Sequence, residues 1–228
     1  MIADLTTLPT NVQRWLKRCL LADAPLPKRI INTQEGEMDI RDRWTPFTAE
    51  TVYDREPFSF LWKARINVLP GVWITAEDGH DGENGWGGSK LWNVISMGGR
   101  EGAEVHSMQL VRHLAELPWI PQFALALMDL EWQDTGEADF EVQYHSGEHD
   151  IKVAFELNED GDIKHASSKR YYDVPDGFVE APWHVAYSDW RDFEGVRIPT
   201  SASAAYDKTD GQWVYWRGRI TSQRTEGS

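Results

Sequence analysis

From Glu104 to Phe123 the chain reads EVHSMQLVRHLAELPWIPQF, its strongest helical pattern, set between two longer stretches whose apolar residues recur with period two. At about 100° per residue, Met108, Leu110, Val111, Leu114, Ala115 and Leu117 fill half of the helix circumference. Gln109, Arg112, His113 and Glu116 occupy the other half, with Arg112 and Glu116 spaced i,i+4 and able to pair. Pro118 and Pro121 remove backbone donors on either side of Trp119 and Ile120, so the helix should break there and a short second piece should follow over 122–128. A helix this apolar, inserted once into a β chain, has to lie against the sheet.

The flanks carry the sheet. From Arg29 to Val94, turn signals at Asp42-Arg43, Asp54 to Pro57, Pro70-Gly71 and Gly79 to Gly88 recur at the roughly 8 to 12 residue interval of antiparallel hairpins, which makes about five strands. The clearest runs from Phe58 to Val68, where Phe58, Phe60, Trp62, Ala64, Ile66 and Val68 share one face and Ser59, Lys63, Arg65 and Asn67 the other. Past the helix, Phe140, Val142 and Tyr144 turn at Ser146-Gly147 into Ile151, Val153, Phe155 and Leu157, and strands follow near 163–172, 179–192, 196–206 and 212–223.

Near the start, Val12, Trp15, Leu16, Cys19 and Leu20 form an apolar helical stripe that Thr10 or Asn11 can cap, before Pro25 and Pro27 end it. There is no βαβ alternation, so a parallel Rossmann-type sheet is not expected. About eleven antiparallel strands in one sheet must curl, because twist accumulates from strand to strand. The expected fold is therefore mainly β (α+β): one domain over 1–228, a single curled antiparallel sheet or open half-barrel. Its strands lie over 29–94 and 130–223, with an N-terminal helix near 9–22 and a central helical segment over 104–128 covering the concave face. Residues 221–228 are expected to fray.

A net charge of -14 opposes binding to nucleic acid or to an anionic membrane surface. Cys19 is the sole cysteine, so no intrachain disulfide forms. Neither a secretory leader pattern nor a run of about 18 apolar residues is present, and the chain reads as cytoplasmic, with no membrane insertion. Twelve Trp, seven Tyr and eight Phe are many for 228 residues and suit a thick β core or an aromatic-lined cavity.

Motifs for phosphate, dinucleotide, zinc and serine-hydrolase chemistry are missing, and neither a cofactor nor a metal is expected. His145 and His149 flank a turn but belong to opposite strand faces by parity. Asp78, Asp81, Glu83 and Asn84 lie in a glycine-rich run whose spacing does not match a calcium loop, and an acid-decorated turn is the simpler account.

Several strings resemble a widespread, functionally uncharacterised bacterial domain family: Leu8-Pro9 with Val12 and Trp15-Leu16; Phe60-x-Trp62-x-Ala64-Arg65; Arg112-x-Leu114-Ala115-Glu116-x-x-Trp119-x-Pro121; Pro182-Trp183; and Gly195-x-Arg197-Ile198-Pro199. At fold level that family is similar to periplasmic lipoprotein carriers, half-open β-barrels that hold acyl chains. The resemblance implies such a half-barrel and a buried Arg112–Glu116 pair. A shared fold does not fix a function.

Two functional readings follow. In the first, Trp62, Trp92, Trp119, Trp183, Tyr187 and Trp216 line a cavity for a lipophilic or amphiphilic small molecule, and Arg112 and Glu116 meet its polar end. In the second, a cofactor-independent enzyme uses Glu116 as general acid or base, with Arg112 or His113 stabilising developing negative charge. Against both stands the plainer account, in which the polar stripe is solvated and the aromatics are ordinary core. A third account, a partner-binding subunit, would show an exterior apolar patch. A cavity near the roughly 300 Å³ that a small ligand needs separates these accounts.

Overall fold

The computed structural model describes residues 4–20, 24, 26–127 and 129–227. Among these residues three α-helices, α1 (Thr10–Cys19), α2 (Ala103–Ala115) and α3 (Pro121–Ala124), accompany thirteen strands. The first six are β1 (Arg29–Asp39), β2 (Trp44–Asp54), β3 (Ser59–Leu69), β4 (Val72–His80), β5 (Gly85–Leu91) and β6 (Ile95–Glu101). The other seven are β7 (Leu130–Asp134), β8 (Asp139–Ser146), β9 (His149–Leu157), β10 (Ile163–Val174), β11 (Gly177–Phe193), β12 (Val196–Lys208) and β13 (Gly211–Glu226).

All thirteen strands form one curled antiparallel sheet in the order β6-β5-β4-β3-β2-β1-β13-β12-β11-β10-β9-β8-β7. Two meanders are thus joined in the middle, where β1 pairs with β13 from Arg29↔Glu226 to Met38↔Trp216. The free edges are β6 and β7, and the helical segment connecting them crosses the concave face, with α2 packed on β4, β5, β9 and β10. This is the open half-barrel expected from the pattern, with two more strands. Both additions are edges that alternation does not mark: β6 reads ISMGGRE and is exposed along nearly its whole length, and β7 has five residues.

Period two governs the interior. In β2 the buried Thr45, Phe47, Ala49, Thr51 and Tyr53 alternate with exposed or half-buried neighbours, and in β3 Phe60, Trp62, Ala64 and Ile66 do the same. At the Pro70-Gly71 turn Gly71 has φ 76°, the left-handed conformation that glycine adopts without strain after a turn proline. The Gly79 to Gly88 run is mostly strand, and only 81–84 turn.

α1 lies under the second meander. Trp15 is fully buried, its ring 5.7 Å from Phe140 and 6.4 Å from Phe155, a burial worth roughly 2 to 3 kcal/mol. Neither Thr10 nor Asn11 caps this helix: Asn11 donates its own backbone N–H to Asp134 at 3.1 Å and its side-chain amide to the Gly136 and Asp139 carbonyls, each at 3.0 Å. Asp134 is the acceptor that satisfies the helix start, so the β7–β8 turn does the capping. The helix stops at Cys19, short of the residue 22 that its pattern predicts, and 21–23 lie outside the described residues. Burial pushes the Cys19 thiol above its ordinary range.

The central segment breaks where its prolines stand. α2 ends at Ala115, a 3-10 turn spans Leu117–Trp119, and α3 begins on Pro121 and ends at Ala124, short of the expected 128; Met128 lies outside the described residues. The tail expected to fray instead pairs with β1 as far as Glu226. Among the described residues no helix is long and apolar enough to cross a membrane.

Candidate functional site

The polar half of α2 is not solvated. Gln109 and Glu116 are buried, His113 fully so, because the curled sheet wraps both faces of the helix. Each of these residues makes at least one bond inside. Gln109 donates to the Trp86 carbonyl at 3.1 Å. Glu116 accepts from the Tyr53 hydroxyl at 2.6 Å and from Arg112 Nε at 2.7 Å.

Arg112 reaches further, to Asp78 at 3.3 Å, with its guanidinium carbon 4.9 Å above the Trp62 ring and 5.2 Å above Phe60. Burial opposes its charge, but Glu116 and Asp78 more than offset this and hold the guanidinium above the usual arginine range. Asp78 meets Arg100 at 3.8 Å, and Arg100 bonds Asp173, so a chain of alternating charges runs from the buried Glu116 to the more exposed Arg100 and Asp173. Asp78 thus belongs to β4 and faces inward, not to the turn. In the turn, Asp81 accepts the Glu83 and Asn84 backbone N–H groups at 3.0 and 2.8 Å.

Beside this chain the half-barrel is not filled. A cavity of about 330 Å³ opens between α2 and strands β10 to β13, β1, β3, β4 and β6. Trp62, Trp119, Trp183, Tyr187 and Trp216 line it, together with Arg112, Glu116, Met38, Met108, Val185, Trp213 and Tyr215. The walls are held by their own polar ends: Trp62 donates to Gln34 at 3.1 Å, Trp183 to the Tyr215 hydroxyl at 3.0 Å, and the Tyr187 hydroxyl to the Ala115 carbonyl. Fixing each indole or phenol by its tip leaves the ring face for an apolar guest.

Two candidates lie elsewhere. Trp92 sits in the β5–β6 turn, 43% exposed, its indole N–H donating to the Gly71 carbonyl at 3.1 Å. Position 92 closes a hairpin, and nothing carries its ring inward. His113 is buried behind the cavity, stacked on Phe58 with centroids 3.9 Å apart and bonded to His80. His149 packs on His106 at 5.0 Å inside the sheet while His145 stands outside near Asp150, so the two histidines do face apart.

Sequence reasoning missed Arg170, Tyr206, Trp213 and Tyr215, which line the cavity's far wall. Strand parity was the available signal, since Arg170 shares the inner face of β10 with Ala166 and Tyr172.

Among solved structures, a DUF1329 family protein from Desulfovibrio piger superposes with a TM-score of 0.52 at 9% identity, covering 95% of this chain and 92% of that one. A LolA superfamily protein from Nitrosomonas europaea gives a TM-score of 0.50 at 8% identity, covering 96% and 93%. At such identities the likeness shows the half-barrel fold alone. No curated protein matches the chain. The model of a family of unknown function, DUF6544, matches residues 1–218, and the chain belongs to that family.

Proposed function

We propose that this protein binds one small lipophilic or amphiphilic molecule in the half-barrel, its apolar body against Trp62, Trp119, Trp183, Tyr187 and Trp216. The observation that carries this reading is the cavity itself. An interior of close-packed side chains leaves few voids larger than a water molecule. Here about 330 Å³ stays open behind aromatic walls anchored by hydrogen bonds. At roughly 30 Å³ per water-sized atom, that is room for about a dozen non-hydrogen atoms. The size favours one short chain or one ring system over a lipid with several acyl chains. The half-barrel shared with the LolA superfamily structure supports the same reading.

Glu116 as a general base has less support, because each of its oxygens is engaged, one by Tyr53 and one by Arg112. Native mass spectrometry of freshly purified protein, followed by solvent extraction, tests the proposal. A stoichiometric adduct of this size, lost in Trp183→Ala, is the expected result. An empty protein that also fails to take up an environment-sensitive apolar dye saturably would refute it.

A further inference from the structure

Every cation on the cavity wall has a carboxylate partner except one. Arg112 is matched by Glu116 and Asp78, and Arg100 by Asp78 and Asp173. Arg170 is only 7% exposed and forms no ion pair with a carboxylate among the described residues, Asp78 acting on it only from farther off. Its Nε–H donates to the Met108 carbonyl at 3.0 Å and one Nη1–H to the Tyr206 hydroxyl, which in turn donates to the Tyr171 carbonyl at 2.8 Å. The other Nη1–H and both Nη2–H groups have no acceptor there. Burial keeps the Tyr206 phenol protonated, above the usual tyrosine range, so it supplies no counter-charge at neutral pH.

A buried guanidinium left without an anion is costly, and one with a free N–H edge on an aromatic cavity is built to receive one. Its position is fixed, held by Met108 from the helix and Tyr206 from β12, with the Trp183 ring 5.2 Å from the guanidinium carbon. The opposite sign is less well prepared. Asp39, a wall carboxylate with no cation in reach, accepts the Trp213 indole N–H at 2.8 Å, and its other oxygen is shut off from the cavity.

We infer that the cavity's ligand is a small carboxylic acid with an apolar body, its carboxylate bonded to the free N–H edge of Arg170 and its body among Trp183, Trp119 and Trp216. This rests on the cavity-binding reading and adds the head group to it. The planar guanidinium meets a carboxylate through two parallel N–H···O bonds, which a neutral or cationic head cannot reproduce. The roughly dozen-atom capacity matches a medium-chain or aryl-substituted acid.

Calorimetric titration of the full chain with decanoate, decanol and decylamine tests it. These probes share one chain and differ in the head. Decanoate should bind about tenfold to a hundredfold more tightly than decanol, and decylamine more weakly than either. Arg170→Met, which keeps the stem and removes the charge, should abolish the preference for the acid while retaining decanol. Equal binding of acid and alcohol by the wild type overturns the head-group assignment and leaves the apolar cavity standing. A preference for the amine overturns it in favour of Asp39, and no binding of any of the three overturns both readings. The wild-type comparison stands alone if Arg170→Met does not fold.

Discussion

Nε2 of His80 and Nδ1 of His113 lie 2.8 Å apart in the core, joining β4 to the helix that crosses the sheet. The Gly82 backbone N–H donates to His80 Nδ1 at 3.2 Å, which makes that nitrogen the acceptor and Nε2 the N–H. His113 Nδ1 then accepts, and its Nε2–H points into the core without a partner among the described residues. Both rings are neutral in this arrangement.

Their neutrality predicts an acid-labile fold. Burial, then His106, push His80 down to about 3 against the favourable Asp81, and burial, His80 and Arg112 hold His113 well below the usual histidine range. The unfolded chain takes up these protons near pH 6.5 and the folded one does not, so stability is full above that value and is lost as pH falls toward 3. For His80 alone the loss at pH 4 is about 3 kcal/mol. Urea unfolding across this range should show the decline, and it should be shallower in His113→Phe, which keeps the stack on Phe58. An unchanged slope in that variant would remove the pair from the explanation.

Tyr53 and Glu116 tie the C-terminal end of the same helix to β2 through a buried bond of 2.6 Å. Tyr53→Phe leaves one Glu116 oxygen without its donor in a dry place, at a cost of about 1 to 3 kcal/mol. In Glu116→Gln the same substitution should cost much less, because the neutral amide needs the phenol less. A double-mutant cycle by chemical denaturation reads this coupling directly, and additive effects would contradict it.

The aromatic residues separate by position. Trp119→Ala removes a ring only 4% exposed from the floor of the cavity and should cost roughly 3 to 5 kcal/mol as well as ligand affinity. Trp92→Ala, at an exposed hairpin turn, should stay within about 0.5 kcal/mol and leave binding unaltered. Thermal unfolding and dye titration of the two variants side by side check both statements, and a Trp92→Ala effect on binding would place that residue in the site after all.

What could be read beforehand follows from what each signal depends on. Alternation in Phe58 to Val68 and the i,i+3,i+4 stripe of α2 are local, and both are present in the structure, with Phe58 just before the strand, Val68 at its bulge and Leu117 past the helix end. The strand at Ile95–Glu101 is held by its partner β5 and shows little alternation of its own, so it was invisible. Around the site, the i,i+4 spacing alone brings Arg112 and Glu116 together. Asp78, Arg100 and Arg170 enter only through strand register and curl, which bring β4, β6 and β10 around one helix. The burial of His113 likewise depends on the sheet wrapping past the apolar half of α2, which no helical wheel contains.

The seam between the two meanders offers the sharpest test of register. Gly36 on β1 pairs with Gly218 on β13, and the strands approach so closely that a Cβ at 36 would lie 2.2 Å from the Arg217 carbonyl oxygen and 2.6 Å from Gly218 Cα. Those are backbone atoms and cannot swing aside as a side chain would. Among the described pairings β1·β13 is the one that joins the halves, so relief would have to come from spreading the whole half-barrel. Gly36→Ala should therefore cost about 3 kcal/mol or more, at the upper end for overpacking. Gly71→Ala is the control: its φ of 76° strains an alanine by about 1 to 2 kcal/mol, but open space surrounds the position. If denaturant midpoints show Gly36→Ala to be the milder of the two, β1 and β13 are not in this register, and the cavity walls they position must be redrawn.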